Sequence, residues 1–183
     1  MPSHAPARTD IGEHSLSLMV RRLDDYLRIE ELQRDDETMP GRHLLGRVGH
    51  LQSQNALVDL VAGAEAFTTV RLRTVRPMVN EAEVRTWESR KRAWSKHAQV
   101  TFDQCPSWQA LKGFVEVRNS IQHGLGRITE FQFHRRAEVL AAIKGCGVVL
   151  DGDTVRLTSG DVKRCAHGCV VFVSWLDNIA PTS

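Results

Sequence analysis

Apolar residues that return every third or fourth position, broken by proline and glycine, constrain this chain more than any other feature of it. From Ser15 to about Arg34 the repeat runs through Leu16, Met19, Val20, Leu23, Leu27 and Leu32 with charge opposite, which predicts a first amphipathic helix. From Leu51 to Thr74 it runs through Leu57, Leu60, Val61, Ala64, Phe67 and Val70 and predicts a second. Between them, Asp35 to Gly49 gathers Asp, Thr, Pro and Gly and reads as a long connection, with His43 and His50 as loop histidines. Pro77 interrupts the second helix. Met78 to about Ala98 is then helical in composition: Glu81, Glu83, Arg85, Glu88 and Arg92 offer charge pairs four apart, and Val84, Trp87 and Trp94 are available for burial.

Asp103 and Pro106 supply the start of a fourth helix, Ser107 to His123. Trp108, Leu111, Phe114 or Val115, and Ile121 recur along it, and Gly124 and Gly126 stop it. A short helix is expected around His134 to Lys144. The period then changes: Val148-Val149-Leu150 and Thr154 to Leu157 flank Asp151-Gly152, the pattern of a hairpin on an Asp-Gly turn. Asp161 to Ile179 reads as a closing helix carrying Val170, Val171, Phe172, Val173, Trp175 and Leu176. The expected fold is therefore mainly α, a bundle of four to five core helices with a small β-hairpin at about 147–157 and a closing helix at about 161–179. It forms one domain over 15–183 behind a loose tail, residues 1–14.

At 183 residues, with 42% hydrophobic and 25% charged side chains, such a chain buries a core without disulfide or metal staples. No apolar run approaches the roughly 18 residues that span a bilayer, and no apolar stretch follows the start as a secretory signal requires. These readings expect a cytoplasmic protein with no membrane partner, whose Cys105, Cys146, Cys165 and Cys169 are reduced and buried. Zinc is not expected at Cys165, His167 and Cys169: a helical Cys-x3-Cys puts both thiols on one face and His167 on another, with no second ligand pair nearby. The net charge of +2 permits RNA as a partner without demanding it. No Gly-rich phosphate loop, nucleophilic serine elbow or HExxH string occurs, so nucleotide hydrolase, esterase and zinc-protease readings lack support.

Chemistry concentrates in Arg118-Asn119-Ser120-Ile121-Gln122-His123. Arginine followed by histidine after four to six residues is a weak pattern, which Arg8 with His14, Arg90 and Arg92 with His97, and Arg127 with His134 also satisfy. Three features set the Arg118 copy apart: Asn119 directly after the arginine, a helix running into it, and Gly124 directly after the histidine. In these residues the chain resembles the HEPN superfamily (higher eukaryotes and prokaryotes nucleotide-binding domains), whose ribonuclease members carry Arg, a polar residue and a downstream His. Over about Leu51 to Gln132 the resemblance is one of helix order.

What the resemblance implies is a metal-independent endoribonuclease without cofactor, in which the 2′-hydroxyl attacks to leave a 2′,3′-cyclic phosphate and a 5′-hydroxyl. It also implies a homodimer that joins two motifs in one cleft, and toxin or phage-defence biology with an antitoxin or regulatory protein as possible partner. A noncatalytic module for dimerisation or for RNA or protein binding is the alternative within the same superfamily. The residue types suit the reaction: histidine moves protons near neutral pH, and a guanidinium fork stays charged while the pentavalent phosphorus forms. His123 is thus the candidate acid or base, Arg118 the charge stabiliser, and Asn119 an orienter of the histidine or the phosphate. Arg127 is the candidate substrate-binding residue. On 3.6 residues per turn Arg118 and His123 stand about 140° apart, so Arg118 must reach round the helix or the helix end must distort. The structural alternative is that Arg118, Asn119 and His123 only cap carbonyls and pair with carboxylates. Glu65 and Glu116 can pair with Arg118 or orient His123, or be surface charge. Arg71, Arg73 and Arg76, like Arg90-Lys91-Arg92, read as solvated helix faces that can alternatively grip phosphate.

Overall fold

The computed structural model describes residues 8–35 and 42–180. Residues 1–7 of the expected tail, residues 36–41 of the expected connection and the side chain of His43 lie outside them. The fold is mainly α, with eight helices and one two-stranded hairpin among the described residues. In chain order the helices are α1 (Asp10–Asp35), α2 (Arg42–Val75), α3 (Glu81–Val84), α4 (Trp87–Ala98), α5 (Trp108–Gly124), α6 (Glu130–Phe133), α7 (Arg136–Gly145) and α8 (Ser159–Ile179). Strands β1 (Val149–Asp151) and β2 (Thr154–Arg156) precede α8.

Helix α2 is the axis of the bundle: α1, α8, α5 and α4 all pack on it, and α1 also packs on α8. Leu57, Leu60, Val61, Ala64, Phe67, Leu72 and Val75 are buried along it. The buried stripe passes through 67, 71 and 75, so Arg71 lies inside at 2% exposure while Val70, expected in the core, is 47% exposed. Arg71 is therefore neither a solvated charge nor a phosphate grip. Its Nε donates to Asp177 Oδ1 of α8 at 3.2 Å, and Thr9 donates to the same carboxylate from its backbone N at 2.9 Å and from Oγ1 at 2.6 Å. That clamp ties the start of α1 to α2 and α8.

Several boundaries move for local reasons. Helix α1 begins at Asp10, inside the segment expected as a tail, with Asp10 and Glu13 in its first turn to complement the positive end of the helix. Helix α2 starts at Arg42, so much of the expected connection is helical. The helix expected over 78–98 is split, because Thr86 takes extended angles and forms a capping box with Ser89 that begins α4. Helix α6, not expected at all, is started by a capping box between Thr129 and Gln132. In the hairpin Val149 pairs with Arg156 and Asp151 with Thr154, which leaves Gly152 and Asp153 as the turn, Gly152 at φ 60°.

Helix α5 packs on α2, α7 and α8. The segment after it is stitched to the hairpin: Val155 N donates to Gly126 O and Ile128 N to Asp153 O, both at 2.8 Å. An aromatic group fills the junction of α4, α5 and α8, where the Phe102 and Phe172 rings meet edge to face at 5.0 Å and Trp108 lies 5.1 Å from Phe102. All four cysteines are free and buried. Burial pushes the Cys146 thiol up to about 11 and the Cys165 thiol well above its ordinary value, which keeps both protonated. No helix among the described residues is long and apolar enough to cross a membrane.

Candidate active site

One stripe of α5, at positions 108, 112, 115, 116, 119 and 123, faces a cleft of about 620 Å³. Glu65 of α2, residues 85–88 and Lys91 at the start of α4, and Phe131 with Arg135 close the other sides. Arg118, Asn119 and His123 all line this cleft, so the fold brings three of the four candidate residues together. Arg127 is not among its lining. It lies exposed past the helix end, where its backbone bridges Thr154 of β2.

Arg118 reaches toward α2. Its Nη2 donates to Glu65 Oε2 at 2.7 Å and its Nη1 to Asn119 Oδ1 at 3.2 Å, while Nε is buried without a hydrogen-bond partner. Asn119 therefore steadies the arginine rather than His123. The second oxygen of Glu65 lies 2.7 Å from Arg90 Nη1, too far off the bonding direction for a hydrogen bond but close enough for an ion pair. Arg90 also donates from Nε to Thr69 Oγ1 at 3.0 Å. The expectation of a solvated Arg90 is corrected: it is 6% exposed, because α4 folds it against α2. Burial pulls the Arg90 guanidinium down from its ordinary value, and Glu65 opposes that pull. One carboxylate thus stands between two guanidinium groups, and the cluster keeps a surplus positive charge at the cleft wall.

His123, in the last turn of α5, is exposed at the cleft rim, with no hydrogen-bond or ion-pair partner among the described residues. Helix α5 ends there, as the glycines predict. Gly124 is its last residue, and the left-handed position falls on Leu125 at φ 51°, whose N–H caps Ser120 O. Gly126, at φ 86°, donates to the same oxygen at 3.0 Å. Two successive N–H groups on one carbonyl fix the turn that leaves His123 at the edge.

Glu116 is engaged away from His123. Its Oε1 accepts from Arg135 Nη2 at 3.2 Å and its Oε2 from Gln132 Nε2 at 2.9 Å. Gln132, 1% exposed, also donates to Glu116 O and accepts from Ser120 Oγ at 3.0 Å. Sequence reading passes over Gln132, although Thr129-x-x-Gln132 carries the capping-box spacing that would have found it. At the other candidate cluster Cys165 and Cys169 are buried in α8 while His167 is exposed, so the three do not converge. No family model, no curated protein and no solved structure matches this chain.

Proposed function

We propose that this protein is an endoribonuclease of the HEPN type and that the cleft beside α5 is its active site. One observation carries the reading: Arg118, Asn119 and His123 border the same cleft, the imidazole open at its rim and the guanidinium held within its wall. In the reaction the 2′-oxygen of RNA bonds to the adjacent phosphorus and the bond to the 5′-oxygen breaks. A proton leaves the 2′-hydroxyl and another reaches the 5′-oxygen. His123 performs one of these transfers, and Arg118 neutralises charge on the phosphoryl oxygens, helped by the surplus positive charge that Arg90 adds beside Glu65. The resemblance implies that a second copy completes the cleft and shares the proton transfers, and activity then depends on dimer concentration.

Incubation of purified protein with RNA in EDTA tests the reading. Wild type is expected to cut and to leave 5′-hydroxyl ends that a polynucleotide kinase labels directly. His123→Ala and Arg118→Ala each lose about a hundredfold or more, the scale of a lost acid–base or charge-stabilising group. Equal cutting by either variant removes that residue from the site, and an active protein that sediments only as a monomer removes the shared cleft. A noncatalytic RNA-binding or dimerisation module is the second reading, favoured by the ties of Arg118 to Glu65 and Asn119. RNA bound but never cut would establish it.

A further inference from the structure

The cleft is not strongly basic: Arg85, Lys91, Lys112, Arg118 and Arg135 face Glu65, Glu88, Asp103 and Glu116 across it. Phosphate neutralisation alone then gives a polyanion little purchase, and base contacts must contribute. Three aromatic residues line the same walls. Trp87 and Trp108 are packed into the core at 9% and 5% exposure, but Phe131 is 72% exposed.

That exposure is built in. Phe131 sits on α6, a helix held by the Thr129 capping box and by the buried amide of Gln132. Fixing Gln132 against α5 fixes its neighbour about 100° further round the helix, out over the cleft. Arg135 stands with its guanidinium carbon 5.6 Å from the Phe131 ring centroid, and Glu116 holds it from the other side. A ring and a guanidinium plane, both anchored and both facing the cleft, form the arrangement on which unpaired bases stack.

We infer that Phe131, with Arg135 beside it, is the stacking surface for one nucleobase of the RNA held in this cleft, an assignment that rests on the ribonuclease reading above. A base inside a duplex is already stacked and paired, so the surface selects RNA whose base at that position is free.

Fluorescence anisotropy in the His123→Ala background, which holds RNA without cutting it, tests this with a labelled single-stranded oligonucleotide. Phe131→Ala is expected to weaken binding about tenfold, the order that loss of one base–aromatic stack produces. Phe131→Trp retains binding, while Phe131→Leu, apolar but without a π face, binds like Phe131→Ala. The same oligonucleotide as a duplex binds more weakly and is insensitive to Phe131. Unchanged single-strand binding by Phe131→Ala, or full binding by Phe131→Leu, overturns the assignment even if the His123 protein cuts RNA. Phe131-dependent binding without cutting by the His123 protein leaves the stacking surface standing and removes catalysis. A Phe131→Ala protein that sediments at lower mass but binds RNA unchanged would overturn the assignment in favour of a contact between copies.

Discussion

Two arginine–carboxylate clusters stand six residues apart on α2, and they are built in opposite ways. At Arg71 the cation meets the Asp177 carboxylate, with side-chain exposures of 3% and 0%. Thr9 donates to both oxygens of that carboxylate. At Glu65 one carboxylate meets two cations at exposures of 16%, 18% and 7%, the Arg118 Nε is left unsatisfied, and the wall opens on a cleft. The first cluster is closed, as a structural tie must be where charge is expensive to bury. The second holds one carboxylate between two cations and is open on one side.

The largest way to break this comparison is to open the closed cluster. Asp177→Ala removes the buried carboxylate that Arg71 and Thr9 share and is expected to cost roughly 3–5 kcal/mol. In a chain of this length that lowers Tm on the order of 10 °C in thermal unfolding followed by circular dichroism. On the proposed ribonuclease reading, RNA cleavage per folded molecule should not change. A stable Asp177→Ala protein would mean that the clamp contributes little and that the two clusters differ less than their geometry suggests.

Crowding the closed cluster is the next test. A Cβ on Gly12 would lie 2.1 Å from Asp177 Oδ2, and that carboxylate has nowhere to turn because Arg71 and Thr9 hold it. Gly12→Ala is therefore expected to cost about 2 kcal/mol, as overpacking does, measured by urea unfolding. No loss of stability would show that the carboxylate can move after all.

The open cluster should respond in activity more than in stability. Glu65→Gln keeps an acceptor for Arg118 but removes the negative charge between the two guanidinium groups, which then repel. Arg118 is expected to lose its fixed position and, on the proposed ribonuclease reading, kcat for RNA cleavage falls about tenfold, or about 1.4 kcal/mol, while KM changes less. Tm should fall less than in Asp177→Ala. Unchanged kcat would reduce Glu65 to an ordinary ion-pair partner.

How much of this was legible in the residues follows from the same contrast. Helices α5 and α8 and the hairpin were readable because apolar spacing, glycine and cap residues all pointed one way. The candidates at Arg118 and His123 were readable as residue types, and the fold does bring them to one cleft. The burial of Arg71 and Arg90 was not, since a charge on a helix face is solvated or enclosed according to which helix lies opposite, and that partner is distant in sequence. Glu65 was open between two roles, and only the approach of α5 and α4 to α2 decided for the arginine. Phe131 and Gln132 escaped notice because a four-residue helix carries no periodicity to read.

The smallest expected effect comes from a surface cluster around the half-buried Glu83, which supplies the comparison with a case of little enclosure. Glu83 Oε1 receives His97 Nε2 at 2.9 Å and Lys96 Nζ at 3.0 Å, and its Oε2 caps Asn80 N at 3.3 Å. These hydrogen bonds, that from His97 first, hold the Glu83 carboxyl down at about 2. A carboxyl lowered on folding contributes stability above its ordinary value of 4.5 and loses it as pH falls through about 2. Wild type should therefore unfold slightly later than Glu83→Gln at neutral pH, the two should converge toward pH 2, and molar salt should shrink the gap. Salt should leave the loss in Asp177→Ala nearly untouched, because the enclosed pair is shielded from ions. A gap at Glu83 that survives both acid and salt would assign its effect to the cap on α3 rather than to charge.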